Sequence, residues 1–102
     1  MSQQINFQNI NAQALSCLPS ILSRWLPDGR TEGAEYVARN PLRHDRHKGS
    51  FKVNLYSGKW GDFASGDSGG DVVSLGAFLA GISQKESALA LAEMLGVDAY
   101  DQ

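Results

Sequence analysis

Residues 51–63 carry the pattern that most restricts how this chain folds. Phe51, Val53 and Leu55 alternate with Lys52, Asn54 and Tyr56; Ser57-Gly58 follows, and Lys59-Trp60-Gly61-Asp62-Phe63 runs back. A period of two sends alternate side chains to opposite faces of a strand. A two-residue turn containing glycine between two such runs is a β-hairpin signal. Phe51, Val53 and Leu55 are therefore expected to point inward, and Lys52, Asn54 and Tyr56 outward. An isolated hairpin is marginal in water, so its apolar face needs cover from the rest of the chain.

That cover is expected from helices on both sides. Ala12, Leu15, Leu18, Ile21, Leu22, Trp25 and Leu26 recur in steps of three and four, which is helical spacing. Pro19 falls inside the run, and proline fits only the first turn of a helix, so a break is expected near Cys17 with a firmer helix from Pro19 to Leu26. Pro27-Asp28-Gly29 ends it in a turn. Beyond the hairpin, Asp71 is placed to cap a helix from Val72 to Ala80 that stops at Gly81. Ser83 with Glu86 three residues later forms a capping box for a helix from Gln84 to Leu95, with Gly96 as its stop. Residues 34–39 read as a short strand with Tyr36 and Ala38 on one side and Val37 and Arg39 on the other, broken at Asn40-Pro41. Residues 42–50 read as a basic loop. Residues 65–71 read as a glycine-rich turn, since they lack the lysine and spacing of a phosphate-cradling loop. The expected architecture is α+β in one domain spanning 12–102, a small antiparallel hairpin sheet flanked by helices. Residues 1–11, rich in Gln and Asn, are expected as a flexible arm with Ile5, Phe7 and Ile10 able to dock.

The formal charge of -2 conceals a strong asymmetry. From Arg39 to Lys59 six bases face one acid, a net of +5, while the remainder holds three bases and ten acids, a net of -7. A cationic segment of this kind attracts phosphates, although its plainer role is a solvated loop balancing acids elsewhere. One cysteine, Cys17, excludes an intrachain disulfide and fits a reducing compartment. The N-terminus lacks a basic stretch followed by an apolar one, which argues against a secretory signal. No apolar run approaches the ~20 residues that span a bilayer. A cytoplasmic protein is expected.

Several motifs in order resemble the zinc-ribbon domain of bacterial and phage DNA primases. They are Asn40-Pro41-Leu42-Arg43, then Lys48-Gly49-Ser50-Phe51-Lys52-Val53, then Trp60-Gly61-Asp62-Phe63-Ala64-Ser65-Gly66, then Ser68-Gly69-Gly70-Asp71-Val72-Val73-Ser74-Leu75. Leu18-Pro19-Ser20-Ile21-Leu22-Ser23-Arg24-Trp25-Leu26-Pro27 with Glu35-Tyr36-Val37 is similar to the N-terminus of primase-helicases of plasmids, phages and integrated elements. The family's four zinc ligands align with Asn40, Arg43 or His44, Asp62 and Ser65, none of them cysteine. A structural zinc site requires four Cys or His ligands. The resemblance thus implies the ribbon scaffold without metal or cofactor, and without primer synthesis, which in that family resides in another domain. Zinc supplies about 10 kcal/mol or more to small ribbons. Core residues must replace it, with Phe51, Trp60 and Phe63 expected to contribute roughly 1.5–3 kcal/mol each. Asp62 is expected to pair with Arg43 or Ser65.

The function expected on this basis is non-catalytic binding of DNA, preferably single-stranded, in the replication of a phage, plasmid or integrated element. Arg39, Arg43, Arg46, Lys48, Lys52 and Lys59 are candidate phosphate contacts, as are His44 and His47. Tyr56 and Trp60 are candidate stacking platforms, with a core role as the alternative for Trp60. A different class of function, a protein-interaction module or inhibitor docking on a replication or defence complex, would use the acidic helices carrying Glu86, Glu93 and Asp98. Its partner could be a helicase, polymerase or primase catalytic subunit. A nuclease using Asp62, Asp67 and Asp71 ranks third, because that spacing suits turns and caps equally well. A metal site begun by His44 and His47 is opposed by the surrounding cations.

Overall fold

A computed structural model of the chain describes residues 4–40 and 50–100. It is an α+β fold, as expected. Helices α1 (Phe7–Ser16) and α2 (Leu18–Trp25) precede strands β1 (Arg30–Glu32), β2 (Glu35–Ala38), β3 (Phe51–Asn54), β4 (Trp60–Asp62) and β5 (Ser68–Gly69). Helices α3 (Val72–Ala80) and α4 (Gln84–Leu95) close the chain. The strands form one antiparallel sheet in sequential order, β1-β2-β3-β4-β5.

The helix boundaries follow local chemistry. Pro19 sits in the first turn of α2, where no N–H is needed, and Cys17 separates α2 from α1. The expected break is therefore present. Residues 7–11 of the expected arm instead open α1, because the Asn6 side chain accepts a hydrogen bond from the Asn9 N–H at 3.0 Å and Ile10 is fully buried. The Asn6 N–H also donates to the Ala99 carbonyl at 2.8 Å, tying the start of α1 to the segment after α4. Helices α3 and α4 each carry a complete capping box, Asp71 with Ser74 and Ser83 with Glu86, and end at Gly81 and Gly96 in the left-handed region.

Register sorts the sheet into two faces. Val53 lies opposite Tyr36 and Trp60, and Phe51 lies opposite Ala38 and Asp62. This inner face packs against the helices. Phe51, Trp60 and Phe78 of α3 form its aromatic centre, with ring centroids 4.8–6.1 Å apart. Such pairs add about 0.5–1.5 kcal/mol each beyond area burial. The Trp60 indole N–H donates to Ser74 Oγ at 3.0 Å, so the ring is buried without leaving its donor unsatisfied. Gly69 passes so close to the indole that a Cβ there would overlap it, which explains a glycine on the last strand.

Candidate nucleic-acid interface

The opposite face of the sheet points away from the helices. Lys52 of β3 lies opposite Val37 of β2 and Gly61 of β4, and Asn54 lies opposite Glu35. Gly61 has no side chain, so it leaves a gap beside Lys52. The result is a depression of about 360 Å³ lined by Glu35, Lys52, Asn54, Ser57, Lys59, Gly61, Phe63 and an edge of Trp60.

Phe63 is the unexpected member. The sequence placed it in the core, yet its ring is 79% exposed. The reason is strand parity: Trp60 and Asp62 point inward, so Gly61 and the next residue, Phe63, point outward. The Phe63 N–H bonds to the Ser50 carbonyl at 2.8 Å, which holds the residue in line with the ladder. The Lys52 ammonium stands 5.4 Å from the Phe63 ring centroid. A cation at that distance over a ring contributes about 0.5–1 kcal/mol when exposed. A solvated aromatic is thereby held beside a positive charge.

Tyr56 is also 79% exposed, as expected. The turn that presents it is longer than the two residues expected, running between Asn54 and Trp60. The Asn54 side chain accepts from the Tyr56 and Ser57 N–H groups, both at 2.9 Å, and Gly58 adopts φ 77°. Asn54 thus shapes the turn, as asparagine commonly does by accepting from the backbone two residues on. Lys59 and Arg39 are exposed. Trp60 takes the core alternative: it is only 7% exposed and clusters with Phe51 and Phe78, so its ring is not open to a base. Arg43, His44, Arg46, His47 and Lys48 lie outside the described residues.

Two of the positions aligned with zinc ligands meet on the inner side. Asn40 and Asp62 are 1% and 2% exposed, and Asn40 Nδ2 donates to Asp62 Oδ2 at 2.7 Å. The second carboxyl oxygen, Oδ1, accepts from the Ala64 N–H at 2.9 Å. Ser65, one of the two partners expected for Asp62, instead donates to Asp67 Oδ2 at 2.8 Å. Arg43, the other, lies outside the described residues. The three aspartates of the nuclease alternative are each engaged separately. Asp62 is buried on the inner face, Asp67 bonds Ser65, and Asp71 caps α3. Among the described residues, no group of three or more His, Cys, Asp or Glu is arranged to hold a metal ion. Among the same residues, no helix is long and apolar enough to cross a membrane.

Sequence reasoning missed Phe63 and with it the pairing to Lys52. The signal was available in the alternation: once Trp60 is assigned inward, Phe63 falls outward. No protein-family model matches the chain, and no curated protein matches it in sequence.

Proposed function

We propose that this chain is a non-catalytic nucleic-acid-binding module that holds single-stranded DNA on the outer face of its sheet. The observation that carries this reading is the Phe63 ring, exposed and flanked by the Lys52 ammonium. An exposed ring stacks on any base and a neighbouring cation meets the phosphate, the combination that sequence-neutral single-strand binding requires. Tyr56 at the hairpin tip supplies a second ring, and Lys59 and Arg39 supply further positive charge. Glu35 at the edge of the depression repels phosphate, which directs a bound strand toward Lys59 and Phe63.

The resemblance to primase ribbons points the same way. The Asn40–Asp62 hydrogen bond supports a scaffold in which buried polar groups at former ligand positions bond to each other rather than to zinc. On this reading the module is cytoplasmic and serves replication of a phage, plasmid or integrated element, beside a helicase, polymerase or primase catalytic subunit.

The test is titration of a fluorescently labelled oligothymidylate with the wild type, Phe63→Ala and Tyr56→Ala. Each truncation should weaken binding by about 1–3 kcal/mol, roughly 5- to 150-fold, while the protein stays folded and its melting temperature falls by at most about 8 °C. Unchanged affinity in both variants would overturn the assignment of the face.

A further inference from the structure

A second concavity lies among the helices and shares no lining residue with the depression on the sheet's outer face. It is an apolar groove of about 430 Å³ between Trp25 of α2 and the α3–α4 hairpin, with Gly76 and Leu79 on one wall and Ala90, Leu91 and Met94 on the other. Gly76 makes the floor: a Cβ there would stand 2.6 Å from Ser87 Oγ and 3.0 Å from the Trp25 ring, so only glycine leaves this space. Ser87 carries the one hydroxyl in the lining, which already donates to the Val73 carbonyl at 2.7 Å, and Trp25 turns the benzo edge of its ring, not its N–H edge, toward Gly76. The groove is therefore lined mainly by apolar atoms and selects for apolar shape.

We propose that this groove receives an amphipathic helix of a partner protein, with apolar anchors one turn apart and basic residues beside them. Three features set that occupant. Along α4 the groove runs from Ser87 to Met94, seven residues or about 10 Å, which matches anchors at i, i+3 or i+4, and i+7 of a helix laid into it. Its walls are helices α2, α3 and α4, so an added helix packs as a further member of the same layer. Its flank is acidic: Glu86 and Glu93 lie four residues before and three after Ala90, on the solvent side of the α4 wall, whereas Lys85 lies on the opposite face of α4. Helix α3 carries no charged residue, and Arg24, the one base of α2, is a quarter-turn or more around that helix from Trp25. Because the groove and the outer sheet face share no lining residue, a partner and a DNA strand are able to bind together.

The experiment uses the full chain with its methionine methyl groups labelled for NMR. Met94 lines the groove and Met1 is the only other methionine, so the spectrum reports the site directly. The probe is a synthetic amphipathic peptide of leucine and lysine with leucines at i, i+3, i+4 and i+7. The control replaces every lysine with glutamate. The Leu/Lys peptide should shift the Met94 methyl saturably, and the Leu/Glu peptide should bind at least about tenfold more weakly. Glu86→Gln with Glu93→Gln keeps an acceptor for the capping box and should weaken the Leu/Lys peptide roughly two- to tenfold. Ala90→Arg and Ala80→Arg place a charge on either wall at exposed positions, and each should abolish the shift. The proposal fails if the Leu/Lys peptide leaves Met94 unmoved, or if both peptides bind alike. It also fails if both wall variants bind as the wild type does. A Met94 shift that grows with protein concentration alone, alongside a dimer in sedimentation, would assign the groove to a second copy and overturn it as well.

Discussion

Asp62→Ala removes the acceptor of at least two separate donors inside the fold, and the structure sets the scale of that cost. Asp62 Oδ2 accepts from Asn40 Nδ2 at 2.7 Å and Oδ1 accepts from the Ala64 N–H at 2.9 Å, with both side chains almost fully buried. Depriving a buried donor of its acceptor costs about 1–3 kcal/mol. Asn40 bears most of this, so the expected loss is about 3 kcal/mol in total. A domain of this size has roughly 5–15 kcal/mol to lose. At about 4–8 °C per kcal/mol, the melting temperature should fall by about 10–25 °C. Asp62→Asn separates hydrogen bonding from volume. An amide offers one acceptor oxygen, so at least one of these donors faces an NH2 group however the side chain is turned. The asparagine variant should therefore be destabilised, but less than the alanine variant. Thermal unfolding followed by circular dichroism measures both. A loss under about 4 °C for Asp62→Ala, or an asparagine variant as stable as the wild type, would refute the view that this pair fastens the hairpin to Asn40.

Three further outcomes follow from other contacts. Tyr36 donates its hydroxyl to the Leu26 carbonyl at 2.7 Å, and burial first, then the Asp28 carboxylate, raises its pKa above the ordinary value near 10. Because the folded state holds this proton more tightly than the unfolded chain, its contribution is complete below about pH 10 and is lost as pH rises above that. Tyr36→Phe should cost about 1 kcal/mol at neutral pH and flatten the fall in stability at high pH, as read from denaturant midpoints across pH. Gly69→Ala forces a methyl against the Trp60 indole and Ser74 Oγ, and should destabilise by about 1–3 kcal/mol with a shift in tryptophan emission. On the proposed metal-free reading, dialysis against a strong chelator should leave the melting temperature unchanged, with Asn40 and Asp62 still bonded to each other.

Much of this fold was legible because its signals are local. The Asp71 and Ser83 caps, the stops at Gly81 and Gly96, and the break before Pro19 each depend on a few neighbouring residues, and the structure has them where the sequence places them. Strands β1 and β5 were not legible. All three residues of β1 are exposed, so no burial period marks it, and β5 is two residues of a glycine-rich stretch that pair only because β4 lies alongside. The start of α1 is hard to read because polar Gln and Asn dominate its exposed face, and only Ile10 and Ala14 of its residues are buried. At the candidate site, Tyr56 was legible from its place near a turn. Phe63 was misplaced because hydrophobicity was weighed ahead of parity, and in a short strand parity decides which face a side chain takes. The Asn40–Asp62 contact joins residues 22 apart, and sequence spacing gives no means to find it.

The central claim is that the outer sheet face binds single-stranded DNA through charge and stacking. The most direct measurement is anisotropy of a labelled single strand and the matching duplex, titrated at several salt concentrations with the wild type and a Lys52→Glu/Lys59→Glu variant. If about four phosphates are neutralised, the logarithm of single-strand affinity should fall against the logarithm of salt with a slope of about -3. Single strand should be preferred over duplex, whose stacked bases are closed to Phe63 and Tyr56, and the charge-reversed variant should lose both affinity and slope. Absence of single-strand binding at low salt, or a variant that binds with the wild-type slope, would contradict the claim.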